Sequence, residues 1–202
     1  MRVTAIVLAA GASSRLGRNK LLIEVEGETV LDRLLQALIP VAEEIVIVTG
    51  HIPKPIEVIA GRHHVRTVFN PDHEKGMTTS FQAGLRSVEA DAAFLVLGDQ
   101  LGLEPELLQR MVQALERNPE MLIVSPEYEG KRGHPTLFRK AVFSEFLKMG
   151  SEEILRDIVL RHEKEHGTVP GSRWTTIDFD TPADFVKAAE LWKARQARSS
   201  TV

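Results

Sequence analysis

The feature that most constrains the fold is a series of short apolar runs separated by helical patterns. The runs cover residues 4–10, 44–49, 65–69, 92–97, 121–125 and, more weakly, 174–179. Apolar runs of this length without polar alternation are typical of strands buried on both faces, as in a parallel sheet. Between them, apolar side chains recur at helical spacing, as at Leu31, Leu34 and Leu38. The alternation predicts a three-layer α/β/α sandwich with six or seven mostly parallel strands.

This organisation indicates a single domain. We expect it to span residues 1–198 of the 202-residue chain, with residues 199–202 as a frayed tail. Thr181 offers a capping hydroxyl and Pro182 fits the first helical position, which predicts a last helix from residue 182 to about residue 195.

Composition excludes several kinds of function. The absence of cysteine rules out disulfides and cysteine-based zinc or redox sites. The formal net charge of -3 gives no basic footprint, so we expect no nucleic-acid partner. The apolar run over residues 3–10 is too short to cross a bilayer and lacks the flanks of a signal peptide. These features predict a cytoplasmic protein without a membrane partner.

A loop of small and basic residues follows the first apolar run, over residues 8–20. In an open α/β sheet, ligands bind outside the carboxyl ends of the strands. Small residues there let backbone N–H groups approach a phosphate, and Arg15, Arg18 and Lys20 add positive charge. The spacing of Gly11 and Gly17 fits neither a Walker A loop nor G-x-G-x-x-G. A surface turn is the alternative, but the position after a buried strand favours phosphate binding.

Two acidic segments are candidates for a metal site. Asp99 directly follows the buried run at residues 92–97, where a carboxylate is well placed to hold Mg²⁺; an ordinary turn aspartate after Gly98 is the alternative. Asp178 and Asp180 alternate along a predicted strand, so both face the same way and repel each other unless a cation lies between them. Asp184 fits the cap of the last helix better.

The loop motif Leu-Ala-Ala-Gly-x-Ser-x-Arg-Leu-Gly-x-x-Lys resembles the signature of the GT-A-like nucleotidyltransferases. It is especially similar to the group related to molybdenum cofactor cytidylyl- and guanylyltransferases. The resemblance implies a GT-A-like (Rossmann-like) fold, with Arg15 and Lys20 as catalytic residues on the α-phosphate and the departing pyrophosphate. It makes Asp99 the essential ligand of Mg²⁺, or of Mn²⁺, and adds first Asp180 and then Asp178 to the metal site.

The same resemblance implies a nucleotide site and an acceptor site. Residues expected at the nucleotide are Leu8, Ala9, Ala10, Gly11, Ser13, Arg15, Lys20, Thr49, Gly50, Asn70, Gly76, Met77, Ser80 and Gly98. Residues expected at the acceptor are Arg132, Gly133, His134 and Pro135, because Arg-Gly-His-Pro-x-Leu-Phe is typical of the cytidylyltransferase-like branch. From chemistry alone, a basic hairpin is an equal interpretation of this last segment. The chain departs from the family's patterns at Leu101, where proline is usual, and over residues 150–156.

One further motif, His162-Glu163-Lys164-Glu165-His166, satisfies the zinc-protease pattern H-E-x-x-H. That chemistry needs both histidines on one helix face and a further ligand. The five residues are all polar or charged and Gly167 follows at once, so we interpret the segment as a solvated helix end and predict no zinc site there.

The resemblance implies transfer of a nucleoside monophosphate, most specifically CMP from CTP, to the terminal phosphate of molybdopterin with release of pyrophosphate. A guanylyltransferase or a sugar- or alcohol-phosphate nucleotidyltransferase would share every phosphate-site residue. A noncatalytic nucleotide-binding partner of a molybdoenzyme is the alternative of another class. The expected partners are an NTP, a phosphorylated pterin, and a molybdoenzyme or its chaperone.

Overall fold

A mixed sheet of eight strands forms the centre of the fold in the computed structural model, which describes residues 1–11, 19–150, 153–177, 184, 188 and 190–192. A separate ribbon of two strands, β2 and β3, lies beside it. In chain order the strands are β1 (Val3–Ala9), β2 (Glu24–Val25), β3 (Glu28–Thr29), β4 (Glu44–Thr49), β5 (Arg66–Phe69), β6 (Ala92–Leu97), β7 (Ile123–Tyr128), β8 (Lys131–Arg132), β9 (Thr136–Arg139) and β10 (His166–Pro170). The order across the sheet is β10-β7-β9-β6-β1-β4-β5, with β8 paired to β7.

Most of the sheet is parallel, as the apolar runs predict. Strand β1 lies between β4 and β6, parallel to both, while β5 continues the sheet beyond β4 and β10 pairs in parallel with β7. Strands β8 and β9 are the exceptions, because β9 runs antiparallel to β6 and β7 on either side and β8 runs antiparallel to β7. Strands β7 and β8 form a hairpin whose two turn residues, Glu129 and Gly130, both have positive φ, as the tight turn requires.

Helices cover both faces of this sheet. They are α1 (Val30–Leu38), α2 (Pro53–Arg62), α3 (Met77–Arg86), α4 (Pro105–Arg117), α5 (Phe143–Lys148) and α6 (Leu155–Arg161). Successive residues of β1 point to opposite sides: Ala5 and Val7 pack with α1, α2 and α4, while Ile6 packs with α3, α5 and α6. Both faces are therefore apolar, and the three-layer α/β/α sandwich predicted from the sequence is confirmed.

The predicted sixth strand, over residues 174–179, is wrong in the part that the structure describes. Arg173–Thr175 form a 3-10 turn, in which the Thr175 hydroxyl donates to the carbonyl of Ser172 at 2.7 Å. This local bond offers the backbone an alternative to a strand ladder. Trp174 instead packs edge-on to Trp192, with ring centroids 5.9 Å apart. Residues 178 and 179 lie outside the described part.

A small third core holds this turn in place. It consists of buried side chains from the ribbon, α1, the loop after β6, the turn and the C-terminal segment, namely Val25, Val30, Leu101, Trp174, Ala188 and Trp192. Of the predicted last helix, the described residues 184, 188 and 190–192 are helical. The Trp192 indole donates to Glu26 at 3.1 Å, and the Arg33 guanidinium lies 4.9 Å from its ring centroid. In the described ranges no helix is long and apolar enough to cross a membrane.

Candidate active site

The carboxyl ends of three parallel strands meet at one edge of the sheet. Gly11 lies beyond β1, Gly50 beyond β4 and Asp99 beyond β6, and the paired registers keep these ends level. Two backbone bonds tie the ends together: the His51 amide donates to the Ala10 carbonyl at 3.2 Å, and the Gly98 amide donates to the Leu8 carbonyl at 3.0 Å. This is the edge at which open α/β sheets bind ligands.

A cleft of about 220 Å³ opens at this edge. The structure brings together here eight of the residues expected at the nucleotide, namely Leu8, Ala9, Ala10, Gly11, Gly76, Met77, Ser80 and Gly98. Asp99 joins them, together with three residues that the sequence did not single out, Leu21, Leu97 and His73. Leu21 and Leu97 are ordinary apolar residues, so nothing in the sequence indicates that they line a ligand site. His73 is one of several loop histidines, and the sequence does not distinguish it from the others.

A charge pair lies at the end of the cleft. The Lys20 ammonium is 3.3 Å from the Asp99 carboxylate, and the two side chains are 12% and 32% exposed. Lys20 begins a 3-10 turn, Lys20–Leu22, that Asn19 caps by accepting a bond from the Leu21 amide at 3.0 Å. The fold thus brings a fixed positive charge from 79 positions away to a carboxylate that lines the cleft.

Three residues expected at the nucleotide lie behind the cleft wall and support it. Thr49 is fully buried, and Asn70 is 3% exposed. The Asn70 amide donates to the Ser80 hydroxyl at 3.1 Å, which orients a side chain that does line the cleft. Gly50 touches His73 so closely that a Cβ at this position would lie 2.5 Å from the His73 Cβ.

A second cavity, of about 560 Å³, adjoins the first. Arg132, Gly133 and His134, which the resemblance implies at the acceptor, line it, whereas Pro135 is buried and does not. The other lining residues are Met77, Leu97, Asp99, Gln100, Lys131, Trp174, Thr175, Thr176 and Ile177. Met77, Leu97 and Asp99 line both cavities. Two ligands, one in each cavity, would therefore meet at Asp99.

Backbone contacts fix the wall of the second cavity. The Gly133 amide donates to the Pro126 carbonyl at 2.9 Å, and the His134 amide donates to the Thr175 carbonyl at 2.8 Å. Gln100, which sequence reasoning left without a role, is 6% exposed and donates from its side chain to the His134 carbonyl at 2.6 Å. The segment after Asp99 therefore holds the segment expected at the acceptor.

Arg132 forms a bidentate ion pair with Glu163, with N···O distances of 2.7 and 2.8 Å. The hydrogen bonds raise the pKa of Arg132 and lower the pKa of Glu163. Arg132 is exposed and faces the second cavity as a permanently charged group.

The H-E-x-x-H segment has the wrong geometry for zinc. His162 caps the end of α6 and bonds the Glu145 carboxylate at 2.6 Å, whereas His166 begins β10 and bonds the Ser125 hydroxyl at 2.9 Å. Glu163 forms the ion pair with Arg132 described above. The two histidines thus lie on different elements, so they do not share the helix face that the zinc chemistry needs. The expectation of a solvated helix end was wrong for His166, because this residue pairs into the sheet and is partly buried.

Ser13, Arg15, Asp178 and Asp180, which the resemblance implies at the phosphates and the metal, lie outside the described residues. Within the described part, no group of three or more histidine or acidic side chains is arranged to hold a metal ion. Asp99 is the carboxylate that the structure does place beside both cavities.

The match to a known family covers most of the chain. Residues 5–166 match the profile of the MobA-like NTP transferase domain. The chain belongs to this family. It is thus a nucleotidyltransferase by family, and the resemblance inferred from the glycine loop is confirmed.

The chain is also similar to relatives of named function, and it shares its fold with solved structures. The molybdenum cofactor cytidylyltransferase of Escherichia coli K12 is 28% identical over 191 residues, which is 94% of this chain and 97% of that protein. A probable molybdenum cofactor guanylyltransferase of Methanosarcina acetivorans is 29% identical over 147 residues, covering 70% of this chain and 63% of that protein. The crystal structure of Rv0371c from Mycobacterium tuberculosis superposes with a TM-score of 0.81 at 26% identity, over 94% of this chain and 98% of that one. A complex of Rv0371c with manganese gives a TM-score of 0.77 at 24% identity, over 94% and 99%.

Proposed function

We propose that this MobA-like protein is a Mg²⁺-dependent cytidylyltransferase that moves CMP from CTP to the terminal phosphate of molybdopterin and releases pyrophosphate. The observation that carries the proposal is the junction of two cavities at Asp99, with Lys20 3.3 Å from its carboxylate. A transferase needs two substrate sites that meet where the bond is made. A protein that only stores or senses a nucleotide needs one.

The shape of the smaller cleft suits a nucleotide. Backbone of the small residues Ala9, Ala10 and Gly11 forms one wall, which allows phosphate oxygens to approach peptide N–H groups. Lys20 supplies a fixed positive charge beside Asp99, which lines both cavities. In this arrangement the triphosphate lies toward Asp99, and Arg15 adds a further positive charge from the glycine loop.

The larger cavity suits a phosphorylated acceptor. It presents Lys131 and Arg132 to an anion, and a polar wall from Gln100, His134 and Thr175 to the rest of the molecule. The assignment of a pterin acceptor and of CTP rests on the relative from Escherichia coli, which matches over almost the whole length of both chains. Arg132, Gly133 and His134 are the residues that we propose to contact the acceptor.

The residues of the site fit a bound Mg²⁺ ion. This ion takes oxygen ligands and commonly uses only one or two carboxylates together with substrate phosphates and water. Asp99 offers one such carboxylate at the junction of the cavities, and we propose Asp180 and then Asp178 as the second. Mn²⁺ has the same ligand preference. When bound, the metal ion supplies positive charge that neutralises the triphosphate.

The reaction that this arrangement supports is an in-line displacement. An oxygen of the acceptor phosphate attacks the α-phosphorus of CTP, a new P–O bond forms, and the bond to the β-phosphate oxygen breaks. Pyrophosphate leaves with the bonding electron pair, and Lys20 and Arg15 neutralise its charge. An ionised phosphate is already a nucleophile, so no general base is required. Positioning and charge supply the rate.

The first test is equilibrium binding of CTP, GTP and ATP, with and without Mg²⁺, followed by pyrophosphate release when a phosphorylated pterin is added. We expect preferential binding of Mg-CTP and pyrophosphate release that depends on the acceptor. Preference for GTP would instead favour a guanylyltransferase, the function named for the relative from Methanosarcina acetivorans. Nucleotide binding without pyrophosphate release would favour a noncatalytic binding partner.

Substitution of Asp99 tests the centre of the proposal. Asp99→Asn removes the charge that would hold the metal but keeps the size of the side chain, so we expect turnover to fall roughly 100- to 1,000-fold. Asp91→Asn is the matched control, because Asp91 precedes the same strand at its opposite end and accepts a bond from the Arg2 amide. Full activity of Asp99→Asn, with the thermal unfolding of the wild type, would contradict the metal assignment.

A further inference from the structure

One aromatic side chain in the nucleotide cleft has no role in the proposal above. His73 lies in the 3-10 turn His73–Lys75 between β5 and α3, and it lines the cleft. Every other residue from 71 to 77 is exposed, whereas His73 is half-buried. Its ring is therefore the part of this turn that faces inward.

The position of His73 across the sheet separates it from the phosphate end. Asp99 follows β6, and the order from there is β6-β1-β4-β5. Neighbouring strands lie about 4.8 Å apart, so the end of β4 is roughly 10 Å from the end of β6. His73 packs on Gly50, at the end of β4, and meets Phe69, the last residue of β5. A nucleotide with its phosphates at Asp99 and Lys20 would reach His73 with its base.

Three neighbouring residues hold His73 in place. A Cβ at Gly50 would lie 2.5 Å from the His73 Cβ and 2.6 Å from its Cγ, so the histidine occupies space that any other residue at position 50 would need. Phe69 meets it edge-on with ring centroids 6.5 Å apart, and His51 does so at 6.2 Å. His73 is thus held by Gly50, His51 and Phe69 and also lines the cleft.

Two large apolar side chains near His73 are exposed. Phe69 is 55% exposed and Met77 is 59% exposed, although both are large apolar residues. Met77 lines the cleft directly. Exposed apolar side chains grouped beside a cavity indicate a ligand with an apolar face. A nucleobase has such a face, and bases commonly stack on aromatic side chains, including histidine.

We propose that the His73 ring is the wall against which the nucleobase packs, and that it distinguishes a nucleoside triphosphate from a bare polyphosphate. The inference rests on the proposed function, since it takes the triphosphate to lie toward Asp99. It goes further in naming the residue that recognises the base, and in assigning Gly50 to the support of that residue.

The test compares two ligands, Mg-CTP and Mg-tripolyphosphate, by isothermal titration calorimetry on the whole protein. His73→Ala removes the ring, and base stacking on an aromatic residue is worth about 1–3 kcal/mol, so we expect CTP to bind roughly 5- to 150-fold more weakly. Tripolyphosphate should bind as it does to the wild type. His73→Phe keeps an aromatic face and should retain CTP binding within about threefold of the wild-type affinity.

His64→Asn serves as the matched control, because His64 lies in the loop after α2 at a positive φ that asparagine tolerates. Unchanged CTP affinity in His73→Ala would overturn the inference. An equal loss of affinity for CTP and for tripolyphosphate would also overturn it, and so would a loss of CTP affinity in His73→Phe as large as in His73→Ala. A wild-type protein that binds no nucleotide would contradict the proposed function itself. Wild-type binding without an effect at His73 would contradict only the inference.

Discussion

The contact of Gly98 with β1 makes the position of Asp99 sensitive to a single methyl group. Gly98 directly precedes Asp99, and its amide donates to the Leu8 carbonyl at 3.0 Å. A Cβ at Gly98 would lie 2.7 Å from that carbonyl oxygen and 2.9 Å from the Leu21 Cδ2. The leucine side chain can rotate away, but the carbonyl oxygen belongs to the central strand of the sheet. Gly98→Ala must therefore push the backbone before Asp99 outward.

The size of the displacement follows from ordinary contact distances. A Cβ contact becomes ordinary at 3.4 Å, so the oxygen and the new carbon must separate by about 0.7 Å. Over-packing of this kind costs roughly 1–3 kcal/mol of unfolding free energy. A 1 Å misplacement of a catalytic group costs about 100-fold in rate, so we expect Gly98→Ala to lower kcat roughly 10- to 100-fold.

The assay is pyrophosphate release at saturating CTP and acceptor, combined with urea unfolding. Gly61→Ala is the control, because Gly61 lies in α2 with open space around it, and alanine there should raise stability by about 0.5–1 kcal/mol without altering kcat. A Gly98→Ala protein with the kcat and unfolding free energy of the wild type would refute the reasoning. A protein that loses stability but keeps kcat would show that Asp99 does not depend on this contact.

Two further predictions concern the walls of the second cavity and the groups beside it. Burial, and then the charge of Arg132, lower the pKa of His166 to about 4. The neutral form of this histidine therefore stabilises the folded protein above pH 6.5, and this contribution to the free energy of unfolding is lost as the pH falls toward 4. We expect the free energy of unfolding to differ between pH 7.5 and pH 5 by about 1–2 kcal/mol less in His166→Gln than in the wild type, after allowing for partial solvent exposure. Urea unfolding at the two pH values measures this difference, and an equal difference in both proteins would contradict the lowered pKa of His166. A Cβ at Gly133 would collide with the Thr175 carbonyl oxygen, so Gly133→Ala should raise the KM for the acceptor while the KM for CTP stays constant. Equal changes in both KM values would contradict a separate acceptor site.

Much of the fold follows from local patterns in the sequence. The runs predicted at residues 44–49 and 92–97 coincide with β4 and β6, because each is a continuous apolar segment between polar boundaries. The rule that ligands bind at the carboxyl ends of parallel strands then places Gly11 and Asp99 at one edge, where the structure has them.

The parts that could not be predicted depend on contacts between distant segments. The run at 121–125 was expected to end before Pro126, but β7 continues to Tyr128, because β10 and β8 pair with its last residues. The turn at Trp174 depends on packing against Trp192, which no local pattern reveals. Gln100 gains its role only because His134 is folded against it.

The antiparallel direction of β9 is what makes a second substrate site possible at Asp99. Thr136, the first residue of β9, pairs with Leu95 near the carboxyl end of β6. The residues just before β9, Gly133 and His134, therefore emerge at the same edge as Asp99. In a parallel strand at this place they would emerge at the opposite edge, and only the nucleotide could be bound beside the carboxylate. The reversal of this short strand, with His134 held by Gln100, thus supplies the wall that we propose for the acceptor.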